Sequence, residues 1–148
     1  MRIGEVMTSR VETVPAGESA ENALRRMRAK RIHHLVVPLD AGAVGVVSTR
    51  DLDSLASDRS LRTVADVMSA PAVTAEPHMT IRQAANLLRG RTIGCLPVLE
   101  DGKLVGILTA TDLLELIGRA SERPVSKGKR WVLKGRGARR KAVAAGRA

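Results

Sequence analysis

The 148-residue chain contains no Phe and no Tyr, and its single Trp is Trp131, close to the C-terminus. Any core must therefore be aliphatic, which disfavours nucleic-acid modules that stack bases on aromatic platforms. One cysteine, Cys95, excludes an internal disulfide and fits a reducing compartment. No apolar run approaches the roughly eighteen residues of a membrane span. The opening Met1-Arg2-Ile3-Gly4-Glu5 lacks the apolar stretch of a signal peptide. Metal-binding spacings such as Cys-x-x-Cys or His-Glu-x-x-His do not occur around His33, His34, His78 and Cys95. Ser48 and Thr109 have no base beside them in sequence, as a hydroxyl nucleophile would need. The expectation is a cytoplasmic protein that is not an enzyme, holds no metal and requires no cofactor.

Charge is abundant but unevenly placed. The formal net charge is +10, and residues 119–148 account for all of it, with eleven basic residues and the single acid Glu122. The first 118 residues are neutral. Large apolar residues are scarce in the tail and Gly recurs at 128, 135, 137 and 146. Such a segment buries too little to offset its ordering entropy, so 119–148 is expected to be a disordered basic tail.

The neutral body repeats itself. Shifting the chain by 61 residues aligns 6–55 with 67–116 without a gap. Identities in that register include Val6/Val67, Met7/Met68, Thr13/Thr74, Leu35/Leu96, Gly45/Gly106 and Asp51/Asp112. The chain thus divides into a unit at 1–58, a second at 59–118 and the tail at 119–148. Within each unit, Ser19 or Thr80 reads as a helix N-cap. Apolar residues then recur at i, i+3, i+4 and i+7, as in Ala20, Ala23, Leu24 and Met27. Two aliphatic strands follow, joined by turns at Asp40-Ala41-Gly42 and Glu100-Asp101-Gly102. A last helix starts near Asp51 or Asp112. The fold class is α/β (α+β), each unit reading strand–helix–strand–strand–helix, and the two units should pack together.

After the last strand of each unit stands one phrase, Gly45-Val46-Val47-Ser48-Thr49-Arg50-Asp51 and Gly106-Ile107-Leu108-Thr109-Ala110-Thr111-Asp112. Glycine permits close approach to the backbone. The hydroxyl lies beside the free amides of a helix start, where phosphate binds. A carboxylate three residues on is suited to a vicinal diol such as ribose. The same spacing also makes a capping box, and an empty site leaves the Asp free to cap.

The repeat, the paired Gly-led phrase and the Val-Met segments before each unit resemble a tandem cystathionine-β-synthase (CBS) domain pair over residues 1–118. The resemblance implies a pseudo-two-fold pair with two clefts for an adenosine-containing ligand: AMP, ADP, ATP, S-adenosylmethionine or NAD. Ser48 and Thr109 would meet phosphate, and Asp51 and Asp112 the ribose. Thr13-Val14 and Thr74-Ala75 would help to enclose the adenine. His33-His34 stands where the second unit has Gly94-Cys95. The resemblance implies that these histidines, helped by Arg31 or Arg50, meet phosphate in one cleft; the alternative is one ring in the sheet and one in solvent. It also implies a homodimer through the last helices, where Leu114 and Ile117 widen the apolar arc. A ligand-free interaction module whose tail binds nucleic acid is the competing reading.

Overall fold

Short hydroxyl residues start the two long helices of the repeat. Ser19 Oγ accepts the Asn22 amide at 3.0 Å and opens α1, Ala20–Lys30; Thr80 Oγ1 accepts the Gln83 amide at 3.1 Å and opens α3, Ile81–Arg91. Each helix ends at a non-glycine residue in the left-handed region, Arg31 (φ 56°) and Thr92 (φ 53°). This computed structural model describes residues 1–120, so the expected disordered tail lies outside the described residues except for its first two positions.

Each long helix leads into an antiparallel hairpin. In the first unit β1, His34–Pro38, pairs with β2, Val44–Ser48, His34 opposite Ser48. In the second, β3, Cys95–Glu100, pairs with β4, Lys103–Thr109, Cys95 opposite Thr109. Asp101 and Gly102 both have positive φ, 51° and 75°, as a tight two-residue hairpin turn requires. The closing helices differ: α2, Thr49–Asp53, is short and runs on into a 3₁₀ stretch, Ala56–Leu61, whereas α4 spans Ala110–Ala120.

The first expected strand of each unit is reduced to a single parallel bridge, Thr13 to Val36 and Ala75 to Val98. Proline explains why the two copies differ here. The Val36 amide donates to the Glu12 carbonyl at 3.1 Å, but Pro97, at the matching place, has no N–H. In the second unit the bond comes instead from Leu99 to the Ala75 carbonyl, at 2.9 Å.

Two aliphatic cores result, and each borrows from the other unit's leader. Ile3, fully buried, packs with Ala84, Leu96 and Leu108 of the second unit. Val64, also fully buried, packs with Leu24, Leu35 and Val47 of the first. The backbone follows the same exchange. Thr8 and Ile107 swap amide–carbonyl bonds, both 2.9 Å, while Ser69 and Val46 do so at 2.8 and 3.0 Å. These pairs are related by the 61-residue shift, so the pseudo-two-fold symmetry is carried by crossed leaders as well as by facing units. Val36 is buried but belongs to neither cluster, as befits a strand covered on both faces.

Candidate ligand-binding clefts

The glycines that lead the repeated phrase are occupied by the crossing leaders. A Cβ on Gly45 would lie 3.1 Å from the Ser69 carbonyl and 3.2 Å from Met68 Sδ. On Gly106 it would collide with Met7 Sδ and lie 3.1 Å from the Thr8 carbonyl. Close approach does require glycine here, but what approaches is the protein's own Val-Met segment.

The hydroxyl–carboxylate pairs sit at the helix starts. The Ser48 amide donates to Asp51 Oδ2 at 2.9 Å and the Asp51 amide to Ser48 Oγ at 3.1 Å. Thr109 and Asp112 repeat this at 2.8 and 3.1 Å. Both are reciprocal capping boxes, with all four residues half-buried. One carboxylate oxygen in each is engaged, and the other carries no hydrogen bond among the described residues.

One pair faces a cleft of about 230 Å³ between the units. Thr109, Thr111, Asp112 and Ile107 form one wall. The other wall runs from Thr8 through Arg10 and Glu12 to Arg31, Ile32, His33 and His34. The cleft therefore joins the end of β4 to the leader and the β1 approach of the other unit. Glu12 is tied to Arg26 and Lys30, both at 3.6 Å, whereas Arg10 and Arg31 are exposed and have no ion pair among the described residues. Two free guanidinium groups thus stand beside a helix start, an arrangement that attracts an anion.

The second pair has different company. At the places of Arg10, Arg31, His33 and His34 the repeat substitutes Pro71, Thr92, Gly94 and Cys95, with Arg50 in place of Thr111. Asp51 and burial together push the Cys95 thiol up to about 12, burial being the larger cause. Cys95 is accordingly a protonated, buried hydrophobe.

His33 is exposed and His34 half-buried, and both line the Thr109–Asp112 cleft. Burial, followed by the neighbouring His33, holds the His34 imidazole below its ordinary pKa, against a smaller opposing pull from Asp51. Room for the His34 ring comes from the other unit: a Cβ on Gly94 would lie 2.8 Å from its Nε2. His34 and Gly94 are thus fitted to each other across the pseudo-axis.

Comparison with known proteins settles the family. The CBS-domain family model matches residues 3–58 and 64–119. The chain belongs to the CBS-domain family. A CBS domain-containing protein of Dictyostelium discoideum is 31% identical over 136 residues, covering 81% of this chain and 93% of its own. CBSX2, solved in complex with AMP, is 29% identical with a TM-score of 0.67, covering 80% of this chain and 97% of that one. The CBS domain pair of protein MJ0100, solved with 5′-methylthioadenosine and S-adenosyl-L-methionine, shares the fold at TM-score 0.73 and 21% identity, covering 81% of this chain and 98% of that one. The chain also matches homoserine O-acetyltransferases and an inosine-5′-monophosphate dehydrogenase, of which it spans only 23% to 26%.

The CBS pair brings together Thr109, Asp112, His33 and His34 in one cleft, which Ser48 and Asp51 do not line. Val14 and Ala75 are buried in the two cores, Thr13 is exposed and Thr74 half-buried, and none of the four lines the Thr109–Asp112 cleft. Arg10, Thr8 and Glu12 line it and were not singled out from the sequence. Their position depends on the exchange of leaders, for which no local residue pattern codes.

Among the described residues no group of three or more His, Cys, Asp or Glu is arranged to hold a metal, and no helix is long and apolar enough to cross a membrane.

Proposed function

We propose that this CBS pair is a regulatory module, not an enzyme, and that its Thr109–Asp112 cleft takes an adenosine ligand carrying phosphate. The observation that carries the reading is the meeting of Thr109 and Asp112 with Arg10, Arg31, His33 and His34 across one cleft. The α4 start and two unpaired guanidinium groups suit phosphate, and the free oxygen of Asp112 suits a ribose hydroxyl. Aliphatic and backbone groups suit a purine in a chain without Phe or Tyr. CBSX2 with AMP, at 29% identity, supports the same ligand class. The Ser48–Asp51 side, with fewer cations, takes the same ligands more weakly.

In this reading the signal leaves through α4. Leu114 and Ile117 on that helix are 68% and 64% exposed, an apolar face that a second copy would cover, giving a cytoplasmic homodimer. Nucleic acid at residues 119–148 is the competing output, supported by the eleven cations there.

A thermal-shift panel on the full chain tests the function. A ligand at a hundred times its Kd stabilises by about 2.7 kcal/mol, a rise of several degrees for a body of this size. Among AMP, ADP, ATP, S-adenosylmethionine and NAD, at least one phosphate-bearing compound should produce it and adenosine should do less. If none of them moves the melting temperature at millimolar concentration, the sensor reading gives way to a ligand-free interaction module.

A further inference from the structure

His34 takes part in both halves of the molecule. Its ring lines the wall facing Thr109 and Asp112. Its backbone pairs across the β1–β2 hairpin with Ser48, the residue locked reciprocally to Asp51. The ring also rests on Gly94, whose carbonyl accepts the first amide of α4, from Ala110, at 2.9 Å. A single imidazole therefore adjoins the starts of both closing helices. We propose that His34 couples the two clefts: an anion bound beside Thr109 and Asp112 is registered at the Ser48–Asp51 cap through a proton that this imidazole takes up from solvent. The proposal rests on the phosphate-site reading above and adds a regulation to it.

The groups that face His34 decide the direction of the effect. Burial and His33 disfavour its charged form, and Asp51 favours it. Arg10 and Arg31 share the cleft with it as cations, Glu12 and Asp112 as anions. The net result holds the His34 imidazole below its ordinary pKa. Phosphate adds negative charge to this cleft and offsets Arg10 and Arg31, so the balance moves back toward the imidazolium. Linkage makes the effect reciprocal. Ligand binding takes up protons, and affinity for a phosphate-bearing ligand rises as pH falls through about 6.5. The charged ring then attracts the Asp51 carboxylate, whose Oδ2 accepts the Ser48 amide, and so transmits occupancy of one cleft to the other.

Imidazole NMR titration of the full chain reads this directly, its three histidines being assigned by single replacements. In the free protein His34 should titrate below 6.5, and lower still in Asp51→Asn. Saturating AMP should raise its pKa. The Ser48 amide signal should move with AMP in the wild type and stay in place in His34→Gln. Two results would overturn the coupling: an unmoved His34 while the Thr109 amide reports bound AMP, or the same Ser48 response in His34→Gln. An Asp51→Asn variant with an unchanged His34 pKa removes the link even without ligand. If AMP shifts neither Thr109 nor any other signal, the phosphate-site reading itself falls, and the coupling with it.

Discussion

A methyl group on Gly94 would stand 2.8 Å from Nε2 of His34, so Gly94→Ala must displace the ring. Overpacking of this kind typically costs about 1–3 kcal/mol. Urea unfolding should show a loss in that range, and combining it with His34→Ala should remove most of it; an additive double variant would mean that the two residues do not share space. The same ring sets a pH dependence. Because His34 is held below its ordinary pKa in the fold, the unfolded chain binds the proton more readily. Its contribution to stability is therefore full above about 6.5 and is lost as pH falls below that, through the folded value. The slope of stability against pH in this range should be shallower in His34→Gln, and an identical slope would show that His34 stays solvated. At this scale the sequence was informative about identity and silent about partners. The histidine pair stood out against Gly94-Cys95, but only the fold shows that one glycine makes room for one imidazole.

Caps, turns and strands were legible because each rests on neighbours in the chain. Ser19 and Thr80 cap helices through bonds three residues away, and Asp101-Gly102 turns a hairpin through its own backbone angles. The repeated Ser/Thr-x-x-Asp phrase admitted a cap and a ligand site at once. In the structure it is the cap. The strand expected before α1 came out as one bridge, Thr13 to Val36, because Pro38 has no N–H to extend the pairing to the Val14 carbonyl. Of the closing helices only α4 is long, and only α4 exposes large apolar side chains on its outer face. Replacing Leu114 and Ile117 together by Glu should convert a dimer into a folded monomer, seen by light scattering alongside an unchanged melting transition. A wild-type chain that is already monomeric would remove the α4 interface.

The largest feature hidden from the sequence belongs to the whole molecule. Val6-Met7 and Val67-Met68 repeat as clearly as any other segment, yet identical segments fit either unit equally well by pattern. Exchange is favoured by geometry: each leader reaches the glycine-led strand of the opposite unit and closes a core that is short of apolar residues. Ile3 is fully buried in the second unit's core, so Ile3→Ala should cost about 2–5 kcal/mol. Thermal unfolding monitored by circular dichroism should show this as one destabilised transition. A change within about 0.5 kcal/mol, the range of ordinary surface substitutions, would mean that the leader does not close that core. The exchange also explains how the cleft collects its cations, since Arg10 on the first leader reaches Thr109 of the second unit only because the leaders cross.

Calorimetric titration of AMP into the full chain asks whether Asp112 and its cleft hold an adenosine ligand. Asp112→Asn removes a charged acceptor worth roughly 1.5–3 kcal/mol, which corresponds to an affinity loss of about ten- to a hundred-fold. Saturable AMP binding by the wild type is expected, with that loss in Asp112→Asn and a smaller effect from Asp51→Asn. Equal AMP affinity in the wild type and Asp112→Asn, or no binding by the wild type at millimolar AMP, would contradict it.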